Sequence, residues 1–467
     1  MARAKVEEQQ TSTGMTLIVM VGLAIAFLLF MAFLNVVKSG NLLSETNLLF
    51  ATLIFYAGAG ALYLGFGVTG TESYVKFASL ATWAGLITNT AAVAHRWYEA
   101  GHPPFASVYE MLLSFVWTLA VLTLIAEKKY DVKVIGTVTM PVAIVGVVLM
   151  QLLRTEVHPL VPALQSTWLH VHVTLAMLAY AACALSFALA MMFLIQDNMR
   201  TETFLATTSA STLAIYASIV LTRFEKWGGL SLVAWDPERK GEVFLSKGLR
   251  LFVTIPDLGW LLILTLLGVA APLVCYGLAR LKKDDGYLTF ANRGVFLSIL
   301  LQVMTLVMFL VRANDGRYPS LDADGLFPTS LAASPFILSG LVGGVFISLL
   351  YLLLVWRRPD LERLLPTSDN LDRITYKTIC LAFPLLTLMI AAGAYWANQT
   401  WGSYWSWDPK ETWAAITWLV YALYLHMRIT RGWRGRRAAY FAIAGFAVVM
   451  FTFFGVTYLL PGLHAYA

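Results

Sequence analysis

Trp401-Gly-Ser-Tyr-Trp-Ser-Trp-Asp-Pro-Lys-Glu-Thr-Trp413 lies between two apolar runs, 376–398 and 412–428. Each run is long enough to cross the hydrocarbon core of a bilayer as a helix. The stretch between them therefore reads as a short connection at a membrane surface. Trp and Tyr gather at that depth because their rings are apolar with a polar edge. An ordinary aromatic belt scatters one or two such rings per helix end. Four tryptophans and a tyrosine within thirteen residues instead form a platform suited to a flat, conjugated ligand. Asp408-Pro-Lys-Glu411 has the form of a helix start: an Asp cap, Pro at the first position and Glu three residues after the Asp.

Outward from this stretch, apolar runs of spanning length recur near 15–37, 47–69, 75–95, 107–126, 134–153, 172–196, 204–221, 258–279, 294–312, 335–356, 376–398, 412–428 and 438–459. The expected fold is an all-α polytopic integral membrane protein of about 13 transmembrane helices. Composition agrees. The 467 residues are 59% hydrophobic and 13% charged, with a mean hydropathy of +0.70, which excludes a soluble globular protein. The net charge of +6 reflects Lys and Arg in loops, so no nucleic-acid partner is expected. Cys183, Cys275 and Cys380 each fall inside an apolar run and form no Cys-x-x-Cys pair, which leaves a disulfide framework, a thiol relay and an attached c-type haem unsupported. The first apolar run is too long for a signal peptide and reads as a retained span.

Basic loops set the expected orientation. Lys128, Lys129 and Lys133, then Arg280, Lys282, Lys283 and Arg293, then Arg357, Arg358, Arg363, Arg373 and Lys377, then Arg428, Arg431, Arg434, Arg436 and Arg437 all fall on one side if every span is real. The positive-inside rule makes that side cytoplasmic. Alternate loops such as 313–334, with Asp315, Asp322 and Asp324, are poor in basic residues. The N-terminus is then inside, and the Trp-rich loop and C-terminus are outside. Removing any span, including the Thr- and Ser-rich 204–221, would split the basic loops between the two sides. One segment, Arg223–Asp257, reads as a small amphipathic or β-like excursion at the outer surface. The chain reads as one integral domain, 1–467.

This topology gathers several histidines outside: His172 at the start of span six, His464 past the last span, and His95, His102 and His158 in or beside loops. Two imidazoles approaching from separate segments suit six-coordinate haem iron, and indole faces suit the porphyrin plane. Zinc would favour short Cys and His spacings, which are absent. Other readings stand beside this one. His158 suits a solvated loop, His102 in Gly101-His-Pro-Pro104 suits a turn, and His95 can reach the interface beside Arg96. His170 and His172 point about 200° apart on a helix, so at most one faces the platform. His426 lies roughly 22 Å along span twelve from Glu411. An ionisable residue at that depth is costly and is functional by default. It is the one histidine expected in the inner half of the bilayer, so a second iron ligand there would be a non-His residue, a small molecule or a residue of another protein. Lys410, the indole N–H groups and outer arginines could compensate haem propionates. Asp408 and Glu411 are better suited to orient a His or a loop amide, or to pair with Lys410.

At these residues the chain resembles a known family. Trp401 to Trp413 resembles the tryptophan-rich WWD signature of haem-handling proteins. Its Pro-Lys-Glu-Thr continuation is similar to the CcsA/ResC branch, the membrane component of system II cytochrome c biogenesis. Arg96-Trp97, Gly101-His102-Pro103, Tyr109-Glu110, Trp168-Leu-His-Val-His172, Tyr424-Leu-His426 and Gly462-Leu-His464-Ala-Tyr466 resemble other family segments. The resemblance covers 75–200 and 370–467, leaving 200–370 as additional spans. It implies that His172 and His464 ligate an outer haem iron, that His426 ligates a haem within the membrane, and that Trp401, Trp405, Trp407, Asp408 and Trp413 belong to the haem-holding loop. It implies haem b as transported substrate, a CcsB/ResB-type membrane partner, apocytochrome c, and a thioredoxin-like reductant of its thiols. It places the chain in a plasma or thylakoid-type membrane, as part of a holocytochrome c synthase. The readings left beside this one are a haem exporter without synthase chemistry, a system I haem chaperone or ligase, and a b-type redox cytochrome. The last would place histidine pairs at one depth within its spans.

Overall fold

A computed structural model describes residues 43–153, 157, 160–238, 241–243, 250–284, 286–314, 316–320, 322–356, 358–460 and 462–463. Helices dominate. In chain order they are α1 Glu45–Thr69, α2 Glu72–Ala100, α3 Val108–Tyr130, α4 Gly136–Leu152, α5 Thr167–Gln196, α6 Thr201–Arg223 and α7 Leu258–Lys282. There follow α8 Gly286–Ala313, α9 Pro335–Trp356, α10 Arg358–Leu364, α11 Ser368–Trp401, α12 Pro409–Thr430, α13 Arg436–Met450 and α14 Val456–Leu459, with a π-helical turn Phe451–Gly455 before the last.

Ten helical segments among the described residues are long and apolar enough to cross a membrane, so the molecule is an all-α polytopic membrane protein. The Thr- and Ser-rich run near 204–221 is one of them, as Thr203–Arg223. Two expected spans take a different form. α4 is apolar but has only 17 residues. α12 has 22 residues but falls short in hydropathy, because Lys410 and Glu411 near its start and His426 and Arg428 near its end interrupt the apolar run. The run 15–37 lies outside the described residues.

Helix ends follow local chemistry. Ser44 and Ser107 accept backbone N–H groups from Asn47 and Glu110, so α1 and α3 begin on capped turns. Gly101 and Gly402 end α2 and α11 in the left-handed conformation that glycine tolerates best.

The chain forms two compact units. Among the described residues, one is drawn from the stretches 43–151, 157–198 and 358–463, and the other from 152–153 and 199–356. In the first unit α5 is the central helix. It packs against α3, α11 and α13, and 83% of its most apolar stretch is buried inside the protein. A run of alanines from Ala179 to Ala190 lets neighbouring helices approach closely, the usual packing of membrane helices. α1 pairs with α2, and α12 lies against α11 and α13.

In the second unit α7 packs on α6 and α8, and α9 packs on α6 and α8. The excursion after α6 is indeed β-structured. β1 Phe224–Glu225, β2 Gly229–Val233 and β5 Phe252–Ile255 form an antiparallel sheet in the order β1-β2-β5. β3 Trp235–Asp236 pairs with β4 Gly241–Glu242, and β6 Arg317–Pro319 pairs with β7 Leu326–Pro328.

Candidate functional site

The Trp-rich connection is shorter than its sequence extent. Trp401 is the last residue of α11, Gly402 caps it, and Asp408 caps α12, so only 402–408 is non-helical and Trp413 already lies one turn inside α12. The capping box is complete. Asp408 accepts from the Lys410 amide at 3.0 Å, and the Glu411 carboxylate accepts from the Asp408 amide at 3.3 Å. Glu411 also takes the Ser406 amide at 2.8 Å and its hydroxyl at 3.2 Å. One carboxylate thus holds the residues on both sides of Trp407. The intervening Trp407 adopts φ = 59°, a conformation that bulky residues rarely accept. Its ring is 76% exposed and stands edge-on to Trp405 at 5.9 Å. A strained, exposed aromatic held by an over-determined loop is a feature of functional sites.

Beneath the loop lies a cavity. Its wall includes Phe105, His172, Met177, Trp405, Lys410 and Glu411. The residues of this site come from the 105–106 loop, α3, the short turn Pro162–Leu164, α5, α11, the Trp-rich loop, α12 and the π-helical turn, all within the first unit. The lining is mainly apolar and aromatic, with one imidazole, one ammonium and one carboxylate. Burial pushes the Lys410 ammonium down to about 8, with nearby Asp408 opposing that shift.

His172 is held on three sides. Its Nδ1–H donates to the carbonyl of Met389 at 2.7 Å. A carbonyl only accepts, so the neutral ring carries its lone pair on Nε2. Metal-binding histidines are commonly oriented this way, with the other ring nitrogen donating to a backbone oxygen. The ring stacks on Trp396 at 6.1 Å and 22°. It also lies over Gly393, where an added Cβ would sit 2.7 Å from its Cε1 and Nδ1. Trp396 is 2% exposed, donates its indole N–H to the Ala163 carbonyl at 3.0 Å and meets Trp401 edge-on at 4.9 Å. His170 points elsewhere: its ring meets Phe105 at 6.1 Å, and it does not line the cavity.

The other candidates are distributed as follows. Trp405 lines the cavity, Trp401 supports Trp396, and Trp407 faces outward. Trp413 packs on Phe451 at 4.4 Å, in the seam between α12 and the end of α13. Asp408 serves the helix start. His426 is exposed, one turn from the end of α12 opposite the Trp-rich loop, close in sequence to Arg428, which Asp372 pairs bidentately. His102 donates from Nδ1 to the Pro103 carbonyl at 2.9 Å, and His95 lies 3.4 Å from Glu99. His464 and His158 lie outside the described residues.

Sequence reasoning missed Trp396, Gly393 and the Met389 carbonyl. Trp396 carried a usable signal, being five residues before Trp401 on one helix. A backbone carbonyl and a glycine that makes room for a ring leave no such mark.

The family model described as Cytochrome C assembly protein matches residues 105–236 and 264–464. The "Cytochrome c biogenesis protein CcsA" of Nostoc punctiforme is 32% identical over 442 residues, covering 93% of this chain and 99% of the relative. That of Synechocystis sp. is 34% identical over 397 residues, covering 84% and 88%, and that of Microcystis aeruginosa is 33% identical over 445 residues, covering 93% and 99%. Similarity at this level over nearly the whole length establishes the relationship: the chain belongs to the CcsA family of cytochrome c assembly proteins.

Proposed function

We propose that this protein acts in cytochrome c maturation as the membrane subunit of a system II cytochrome c synthase, binding haem b as substrate and presenting it beside the Trp-rich loop for attachment to apocytochrome c. The observation that carries this reading is His172, oriented by Met389 and Trp396 at the wall of a cavity that Trp405 and Lys410 also line. An imidazole whose Nδ1–H is committed to a carbonyl offers Nε2 to iron. Apolar and aromatic walls suit the macrocycle, and the Lys410 ammonium suits a propionate.

In this reading His464 supplies the second outer ligand, and Trp401, Trp405, Trp407, Asp408 and Trp413 build the holding loop. His426 ligates a haem in the membrane. Its exposed position favours a second ligand from another protein, a CcsB/ResB-type partner. The segments 75–200 and 370–467 form the haem-handling core, and 200–370 adds spans to it. The Trp-rich loop and C-terminus face outward and the N-terminus is cytoplasmic, in a plasma or thylakoid-type membrane.

Chemistry on the substrate needs no protein nucleophile. Each thiol of a Cys-x-x-Cys-His segment, kept reduced by a thioredoxin-like protein, adds across one haem vinyl group. Sulfur bonds one vinyl carbon and the thiol hydrogen ends on the other, so no electrons are gained or lost. The protein contributes orientation and proximity. The apocytochrome histidine then displaces one outer ligand.

The test is haem retention and cytochrome maturation in His172→Ala and His464→Ala, with and without imidazole. Loss of both functions, restored by imidazole, is expected; variants that hold haem and mature cytochrome without it overturn the ligand assignment. A haem exporter without synthase chemistry would use the same sites. Coexpression with the partner and an apocytochrome separates the two, because only the synthase leaves haem covalently attached.

A further inference from the structure

We propose that Asp408 is a positioning residue for the C-terminal segment that carries His464, in addition to capping α12. Asp408 is 5% exposed, and its carboxylate serves two parts of the chain. One oxygen, Oδ2, accepts from the Lys410 amide at 3.0 Å and closes the first turn of α12. The other, Oδ1, accepts from the amide of Leu463, 55 residues away. The chain passes so close over this oxygen that a Cβ built on Gly462 would lie 2.3 Å from Oδ1 and 3.0 Å from Cδ of Pro409. Only glycine fits there without moving the tether.

Capping alone does not require a carboxylate, since Asn, Ser and Thr cap about as well. Two amide donors on opposite oxygens do. A carboxylate accepts at both oxygens, whereas an Asn side chain has a single acceptor oxygen and turns a donor toward the second site. The aspartate at this place thereby fastens Gly462-Leu463 to the end of the Trp-rich loop. The next residue along is His464. A tether on the adjacent amide sets where that imidazole can reach, as partners behind a ligand do. The inference rests on the proposed role of His464 as an iron ligand.

The experiment compares full-length protein carrying Asp408→Asn, Gly462→Ala or His464→Ala, each titrated with haemin and read by the low-spin haem absorption spectrum. Gly462→Ala lies outside every helix and leaves the capping carboxylate intact, so it reads the tether alone should Asp408→Asn accumulate poorly. The expected result is a ten- to hundredfold weaker haemin affinity in both tether variants, loss of the low-spin spectrum, and recovery with added imidazole, as in His464→Ala. A merely structural defect would not recover with imidazole. If Gly462→Ala keeps the parental spectrum and affinity while His464→Ala loses them, Asp408 does not position the ligand. If His464→Ala itself behaves as the parent, the ligand assignment fails instead, and the two failures are told apart.

Discussion

Lys410 and His172 show how much depends on the surroundings of single side chains. A histidine two residues from another histidine is ambiguous in sequence. In the folded chain His172 is committed by the Met389 carbonyl, the Trp396 ring and the absence of a Cβ at Gly393. Lys410 is a cation in a largely apolar wall, and burial holds its ammonium near 8, below the usual 10.5. It therefore loses its charge as pH rises through about 8. Retention of a haem carboxylate at this site is expected to fall over the same interval, and Lys410→Gln should flatten that dependence. Haem retention measured against pH in the two proteins checks it. The sign for stability is opposite. The unfolded chain binds more protons than the folded one between about pH 8 and 10.5, so folding gains stability on going up through that window.

The loop between α11 and α12 is shaped by the start of α12. Glu411 collects the Ser406 amide and hydroxyl and the Asp408 amide, which turns Trp407 outward at φ = 59°. Thr412 adds a hydrogen bond to the Trp407 carbonyl at 3.3 Å. Helix capping and display of the aromatic platform are one structure. Glu411→Ala is expected to cost about 1–2 kcal/mol, in the range of a lost cap with its loop contacts. Amide hydrogen exchange should rise across 402–408 while α12 beyond its first turn stays protected. Unchanged exchange in the loop would mean that Glu411 does not hold it.

Across the first unit, a buried ionic cluster ties three helices together near the loop that carries Phe105. Arg96 of α2 is 2% exposed and pairs with Glu110 of α3 at 2.8 Å and with Glu45 of α1 at 3.7 Å. Tyr109 donates to Glu45 at 2.8 Å, and Glu110 accepts the Ala106 amide at 2.7 Å. Removing one member leaves buried charge uncompensated, so Arg96→Ala should destabilise the protein by about 3–5 kcal/mol. Denaturation in detergent measures that loss. Because the cluster anchors Ala106 beside the cavity, the same variant should also loosen haem retention. At the opposite end, Asp372 accepts both Arg428 N–H groups and the Gly435 amide, joining α11 to the turn between α12 and α13.

The class of the molecule was legible in its apolar runs, because spanning a bilayer demands uninterrupted apolar length and leaves a pattern no side-chain contact can hide. Capping chemistry is equally local, and Asp408-Pro-Lys-Glu411 announced the start of α12 to the residue. The density of the Trp401–Trp413 cluster is likewise a property of adjacent residues, and of that stretch Tyr404, Trp405, Lys410 and Glu411 line the cavity. Tertiary structure alone decided the rest. It put His172, which the resemblance already favoured, at the cavity wall and His170 against Phe105, placed Trp396 behind His172, turned Trp413 away into a helix seam, and brought Leu463 onto Asp408. Each of these depends on residues tens to hundreds of positions apart meeting at one point. Such meetings follow from how α5, α11, α12 and α13 pack, and no periodicity or spacing along the chain encodes them.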